Sequence, residues 1–194
     1  MKTDAVKKCV TDWLNRLQRL PEPLQRAELA ELRRGIGRQP GELPALWGSL
    51  LEQMPEDLRG RDGPSEAEWA VYLTLTLFAL HEQGANRDFV HQQGQTLGTA
   101  VWKLAQETSE ADWTESSVLR RFNALATAAS MPELSNHLRG IIQLLRQREI
   151  KLDYPQLAAD LYRFQFAESA ANVRLQWGRD LYRISEKETK EKEN

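Results

Sequence analysis

Ser65-Glu-Ala-Glu-Trp-Ala-Val-Tyr-Leu-Thr-Leu-Thr-Leu-Phe-Ala-Leu-His81 is the stretch whose reading decides the fold. Between Val71 and Phe78 its Leu-Thr alternation has the two-residue period of a strand. Three other features favour a buried helix. Ser65 is followed three residues later by Glu68, the spacing of a capping box in which each residue satisfies the other's amide. No turn residue interrupts the run before Gly84, which reads as the stop. The apolar run is also long for one strand. A helix to about Gln83 is therefore expected. The run from Trp69 to Leu80 is too short to span a bilayer, so no membrane segment is expected.

Working outward, the same start and stop signals recur. Thr3-Asp4 can cap a helix to about Leu20, with Val6, Val10, Trp13, Leu14 and Leu17 on one face. Pro21 and Pro23 break it, and a second helix runs from about Leu24 to Arg34 before Gly35-Ile36-Gly37. A short helix fits Leu43 to Met54, with Pro44 in its first turn. Beyond Gly84, a helix fits Asp88 to Gln106, with a break near Gly94 or Gly98. Thr114 can cap a helix to about Ala129. Ser130 and Glu133 repeat the capping-box spacing before a helix to about Arg148. Asp153-Tyr154-Pro155 opens another that ends near Phe166, and Ser169 a last one to about Ser185. The expected fold is all-α: about nine helices in two small bundles, residues 1–108 and 109–185, followed by a charged tail, 186–194, that should fray.

Composition narrows the function classes. In 194 residues, 41% are apolar and 28% charged, which excludes a wholly disordered chain. Cys9 stands alone, so no intrachain disulfide is available and a reducing, cytoplasmic setting is the default. The start, Met1-Lys2-Thr3-Asp4, lacks the apolar core of a signal peptide. The net charge of −2 argues against a protein that coats nucleic acid with its whole surface, but the charge is uneven. Residues 1–114 carry 13 Lys+Arg against 17 Asp+Glu, whereas residues 115–184 carry 10 against 7.

The residues of catalysis are not assembled in the sequence. His81, His91 and His137 are scattered, without the one-turn spacing that puts two metal ligands on one helical face. Nothing near Cys9 would lower its pKa. Glu66, Glu68 and Glu133 fall in first turns, where capping and the helix dipole favour them. Gly35-x-Gly37 follows a helix rather than a strand, so it is not a phosphate loop. Neither an enzyme, a cofactor nor a bound metal is expected.

The arginines carry more information. In the helix after Ser130, Leu134, Leu138, Ile141 and Leu145 form one stripe, and Arg139 and Arg146 point together away from it. In the helix before it, Val118, Phe122 and Leu125 face inward, Arg120 points nearly opposite, and Arg121 lies on the flank. An antiparallel hairpin would gather these four into one ridge. Arg33, Arg34 and Arg38 cluster around the Gly35 turn, where the helix dipole gives the first two a role without any ligand. Arg is the side chain suited to forked contacts with phosphate. Among the six tryptophans, Trp113 is the one expected to be exposed as a contact.

The ordered blocks Trp69 to His81, Leu97-Gly98, Leu119-Arg-Arg-Phe-Asn-Ala-Leu125, His137-Leu-Arg-Gly140, Leu152-Asp-Tyr154 and Trp177-Gly-Arg-Asp-Leu-Tyr182 resemble the CasB family. Its members are the small subunits of Cascade, the type I-E CRISPR surveillance complex. The resemblance covers about residues 25 to 184. It implies a non-catalytic, all-α protein present in two copies, lying against the backbone subunits that hold the guide RNA and against the large subunit. It also implies contact with the target and displaced DNA strands of an R-loop through basic side chains. The best matches here are Arg33, Arg34, Arg120, Arg121, Arg139 and Arg146, with Arg38 beside the first pair. Where some members continue with basic residues, this chain has Thr127, Ala128 and Ser130. A structural spacer whose arginines meet only carboxylates is the alternative.

Overall fold

The computed structural model describes residues 2–84, 89–108 and 113–192, with side chains described as far as Tyr182. Among the described residues there are nine α-helices and no strand: α1 Lys2–Arg19, α2 Glu22–Arg34, α3 Trp47–Leu51, α4 Glu66–His81, α5 Leu97–Thr108, α6 Ser117–Ala126, α7 Met131–Gln147, α8 Tyr154–Phe164 and α9 Ala167–Lys192. Short 3-10 turns occupy Pro44–Leu46, Glu56–Leu58 and Trp113–Glu115. No helix is long and apolar enough to cross a membrane among the described residues.

α4 is the central helix, buried from Ala70 through His81. α1, α2, α3, α7 and α8 all pack against it, so every face of the helix is covered. Its threonines explain how a strand-like alternation becomes a helix. Thr74 donates its hydroxyl to the Ala70 carbonyl at 2.7 Å, and Thr76 to the Leu73 carbonyl at 3.0 Å. Both polar groups are satisfied within the helix, and the methyls pack in the core. The capping box forms as the spacing predicts. Ser65 Oγ accepts from the Glu68 amide at 3.1 Å, and the Glu68 carboxylate accepts from the Ser65 amide at 2.7 Å.

Around α4, α1 lies along α8, and α5 lies along α9. Buried residues from both sides of residue 108 form one apolar cluster, from Val6 and Trp13 through Phe78 and Leu104 to Leu145 and Trp177. A short backbone tie also joins the two sides. Leu152 donates to the Val90 carbonyl, Gln92 to the Leu152 carbonyl, and Asp153 to the Gln95 carbonyl. His91 and Leu152 form an isolated parallel bridge. Asp153 accepts from the amides of Gln156, which caps α8, and of Gly94. Gly94 has φ +82°, a conformation open to glycine at no steric cost.

Several expected ends move. The helix expected from Asp88, which lies outside the described residues, begins only at Leu97. Val90, Gln92, Gly94 and Gln95 instead give backbone groups to the tie. α6 is capped by Ser116 rather than Thr114: Ser116 Oγ accepts from Leu119 N–H, which turns Val118 and Leu119 inward. Glu133 does not close a capping box on Ser130 but accepts from Ala129 N–H. The helix expected over Leu43 to Met54 is shorter, Trp47–Leu51 after a 3-10 turn. α9 starts at Ala167, two residues before Ser169, whose hydroxyl donates to the Arg163 carbonyl at 2.6 Å. It continues past Ser185 to Lys192. The side chains of the expected tail lie outside the described set. So do residues 109–112, where the division between the two expected bundles falls.

Candidate nucleic-acid interface

α6 and α7 pack against one another as a hairpin on the scaffold of α4, α5 and α9. α6 buries Val118, Leu119, Phe122 and Leu125, and α7 buries Leu134, Leu138, Ile141, Ile142 and Leu145. With those stripes inward, Arg120, Arg121 and Arg139 are exposed. From Ser116 to Arg148 the chain carries five arginines and one carboxylate, Glu133. That carboxylate sits at the turn end of α7, on the Ala129 amide and beside His137 Nε2 at 3.9 Å.

The side chains of Arg120, Arg121 and Arg139 make no hydrogen bond or ion pair with a described residue. A Cβ added at Gly140 would lie 3.8 Å from Arg121 Nη1, so this guanidinium reaches across onto α7, next to Arg139. Arg139 and Arg146 are seven residues apart, about 10 Å along the axis. Arg146 is half-buried and donates to Gln83 Oε1 at 2.9 Å. Arg148, which the sequence pattern passed over, is exposed at the end of α7. Arg174 closes the other end of α6: its Nε donates to the Ala126 carbonyl at 2.6 Å, and its guanidinium lies 4.8 Å from the Phe164 ring centre.

The second arginine cluster is engaged from within. Arg33 donates to the Ala79 carbonyl at 3.3 Å. Arg34 holds Glu31 through two contacts of 3.0 and 2.9 Å. Arg38 stands 3.7 Å from Glu42. Arg33 and Arg146 thus meet the same end of α4, where unpaired carbonyls favour cations. Arg34 and Arg38 are held by carboxylates of their own turn.

The other polar groups explain packing. Burial and the nearby Arg146 push His81 down to about 4, so its imidazole is neutral at pH 7. Its Nδ1 lies 2.8 Å from the Tyr154 hydroxyl. Burial pushes Tyr72 up to about 12, and its hydroxyl donates to the Gly35 carbonyl at 2.9 Å. Cys9 is buried with Sγ 3.3 Å from the Gln53 carbonyl, and burial raises its pKa. Among the described residues no group of three or more His, Cys, Asp or Glu could hold a metal ion. Trp113 is half-buried against the core rather than freely exposed, and Trp47 is the most open tryptophan at 51% exposure.

Residues 28–182 match the family described as CRISPR-associated protein Cse2. The chain belongs to the Cse2 family. A Cse2 relative from Thermus thermophilus is 30% identical over 181 residues, covering 93% of this chain and 92% of the relative. The crystal structure of CasB from Thermobifida fusca superposes with a TM-score of 0.76 at 33% identity, covering 91% of this chain and 97% of that one. CasB from M. ruber gives a TM-score of 0.68 at 26% identity, over 92% and 95%. These matches agree with the CasB resemblance seen in the ordered sequence blocks. In this Cse2 chain the family match opens within α2 and ends at Tyr182, so it includes the whole α6–α7 hairpin and its arginines.

Proposed function

We propose that this Cse2 chain is the non-catalytic small subunit of the type I-E surveillance complex Cascade, and that its α6–α7 hairpin grips nucleic acid without reading sequence. Its partners in this reading are the guide-RNA-bound backbone subunits, the large subunit, a second copy of itself, and the target and displaced strands of the R-loop. The observation that carries the reading is the set Arg120, Arg121 and Arg139: exposed, bonded to no described residue, and on a hairpin with one carboxylate against five arginines. Guanidinium contacts to phosphate position a strand and carry no base information, as an effector that must accept any target requires. Exchange of a DNA duplex for an RNA–DNA hybrid is nearly balanced, so a few such contacts tip it. Arg146 extends the ridge. Arg33, Arg34 and Arg38 contribute less, because each must first leave an intramolecular partner.

The test is the salt dependence of R-loop formation by assembled complex. Each strand phosphate neutralised contributes about 0.7 to the slope of log affinity against log salt. Replacing Arg120, Arg121 and Arg139 together by Gln should therefore lower the slope by about 2 with assembly intact. An unchanged slope overturns the reading. It would favour the spacer alternative, which the engaged state of Arg33, Arg34 and Arg38 supports.

A further inference from the structure

α9 runs antiparallel to α6. Arg174 meets Ala126 at the end of α6, Trp177 and Phe122 have ring centres 6.5 Å apart, and Tyr182 meets Trp113 just ahead of α6. The last contact is of an unusual kind for this surface. The 3-10 turn Trp113–Glu115 packs on both α5 and α6, and it sets the Trp113 ring 5.3 Å from the Tyr182 ring at a tilt of 55°. Tyr182 is nevertheless 51% exposed. The tilt denies the rings the parallel overlap that would hide both their faces. Arg179, one turn back on the same side of α9, is exposed and bonded to no described residue. Arg120 lies seven residues beyond Trp113, near the start of α6, which carries the basic ridge.

We propose that Trp113, Tyr182 and Arg179 form a stacking platform for the bases of single-stranded nucleic acid, an inference that rests on the strand-gripping reading above. In a duplex both faces of an interior base are covered by its neighbours, so only an unpaired base presents a face to such a platform. Aromatic rings beside an arginine suit that ligand: stacking tolerates every base, and the cation serves the base face or the adjoining phosphate. Arg179, with Arg120 beyond the turn, supplies charge complementary to a strand. Among the described residues, Glu115 beside Trp113 is exposed, whereas Asp180 beside Arg179 is buried and takes the Gln176 amide. The ridge would hold the backbone while the platform holds bases, so strand selection would follow from unpairing rather than from sequence.

The experiment uses the full chain at low salt with two fluorescent probes, a short oligothymidylate and an abasic oligomer of the same length. The wild type should prefer the oligothymidylate by about tenfold, the scale of one stacked base. Tyr182→Leu should abolish that preference, and Tyr182→Phe, which keeps the ring, should restore it. Replacing Arg120 and Arg139 by Gln should weaken both probes alike and leave the ratio unchanged. Equal wild-type binding of the two probes overturns the platform alone. Binding of neither probe overturns both readings.

Discussion

Substituting Gly98 by Ala should destabilise the protein, against the intrinsic preference of a helix for Ala. Gly98 lies in the first turn of α5, where α9 crosses it. A Cβ there would fall 2.3 Å from the Trp177 carbonyl oxygen, 2.8 Å from Asp180 Cβ and 2.9 Å from Leu181 N. Two of these are backbone atoms of α9 and cannot rotate aside, so α9 must retreat by about 1 Å to restore an ordinary contact. That opens the seam holding Leu97, Val101, Leu104, Trp177 and Leu181, all buried. It also pulls on the bond from Trp177 Nε1 to Asp160 Oδ2, 2.8 Å long. A gap of that size forfeits a quarter to a half of each contact's attraction. Overpacking costs about 1–3 kcal/mol, the upper figure applying against two fixed backbone atoms, and the helix preference for Ala returns about 1 kcal/mol. A net loss of about 2 kcal/mol is expected. With a urea slope near 2 kcal/mol/M, the midpoint should fall by about 1 M. Gly178→Ala is the control: it lies in α9, yet a Cβ there meets nothing within 4 Å. It should gain up to about 1 kcal/mol from helix propensity. The reasoning fails if Gly98→Ala unfolds at the same or higher urea than wild type, or if both variants shift in the same direction.

Three further outcomes are expected. His81 has a native pKa lowered from 6.5 to about 4, so the unfolded chain takes up its proton first as pH falls. Stability from this group is full above 6.5 and is lost progressively down to about 4, about 3 kcal/mol in all. Glu82 and Asp160, whose pKa values burial raises, act in the opposite sense, so the difference between wild type and His81→Gln in denaturant titrations at several pH values isolates the imidazole. Ser65→Ala should cost about 1 kcal/mol by removing the α4 cap, lowering the melting temperature by about 2–4 °C. Tyr72→Phe should cost about 1 kcal/mol in the same assay, because the Gly35 carbonyl keeps its bond from the Arg38 amide.

Local chemistry made much of the fold readable. The Ser65–Glu68 box and Gly84 bracket α4, and the apolar stripes of α1, α6 and α7 are the faces that become buried. Segments governed by distant partners were not readable. The Val90 to Gln95 stretch was expected within a helix, but its backbone is claimed by Leu152 and Asp153, about sixty positions away. The choice of Ser116 over Thr114 depends on which start turns Val118 and Leu119 inward, a tertiary matter. The arginines divide in the same way. The pairing of Arg34 with Glu31 follows from a three-residue spacing, whereas the bonds of Arg33 to Ala79 and of Arg146 to Gln83 span 46 and 63 residues and leave no local trace. The open surroundings of Arg120 and Arg139 were visible as outward positions on stripes, but the reach of Arg121 onto Gly140 was not.

The tie between residues 90–95 and 152–153 makes the intervening helices an excursion whose departure and return points are fastened side by side. Lengthening such an excursion at its far tip, between the exposed Ala129 and Ser130 and beyond the buried Ala128, adds only a slowly growing closure entropy, about 0.6 kcal/mol for each doubling of loop length. The base of the excursion feels none of it. Extra basic residues could therefore be grafted at that tip to lengthen the grip on a polyanion, while the rest of the molecule and its docking faces stay as they are.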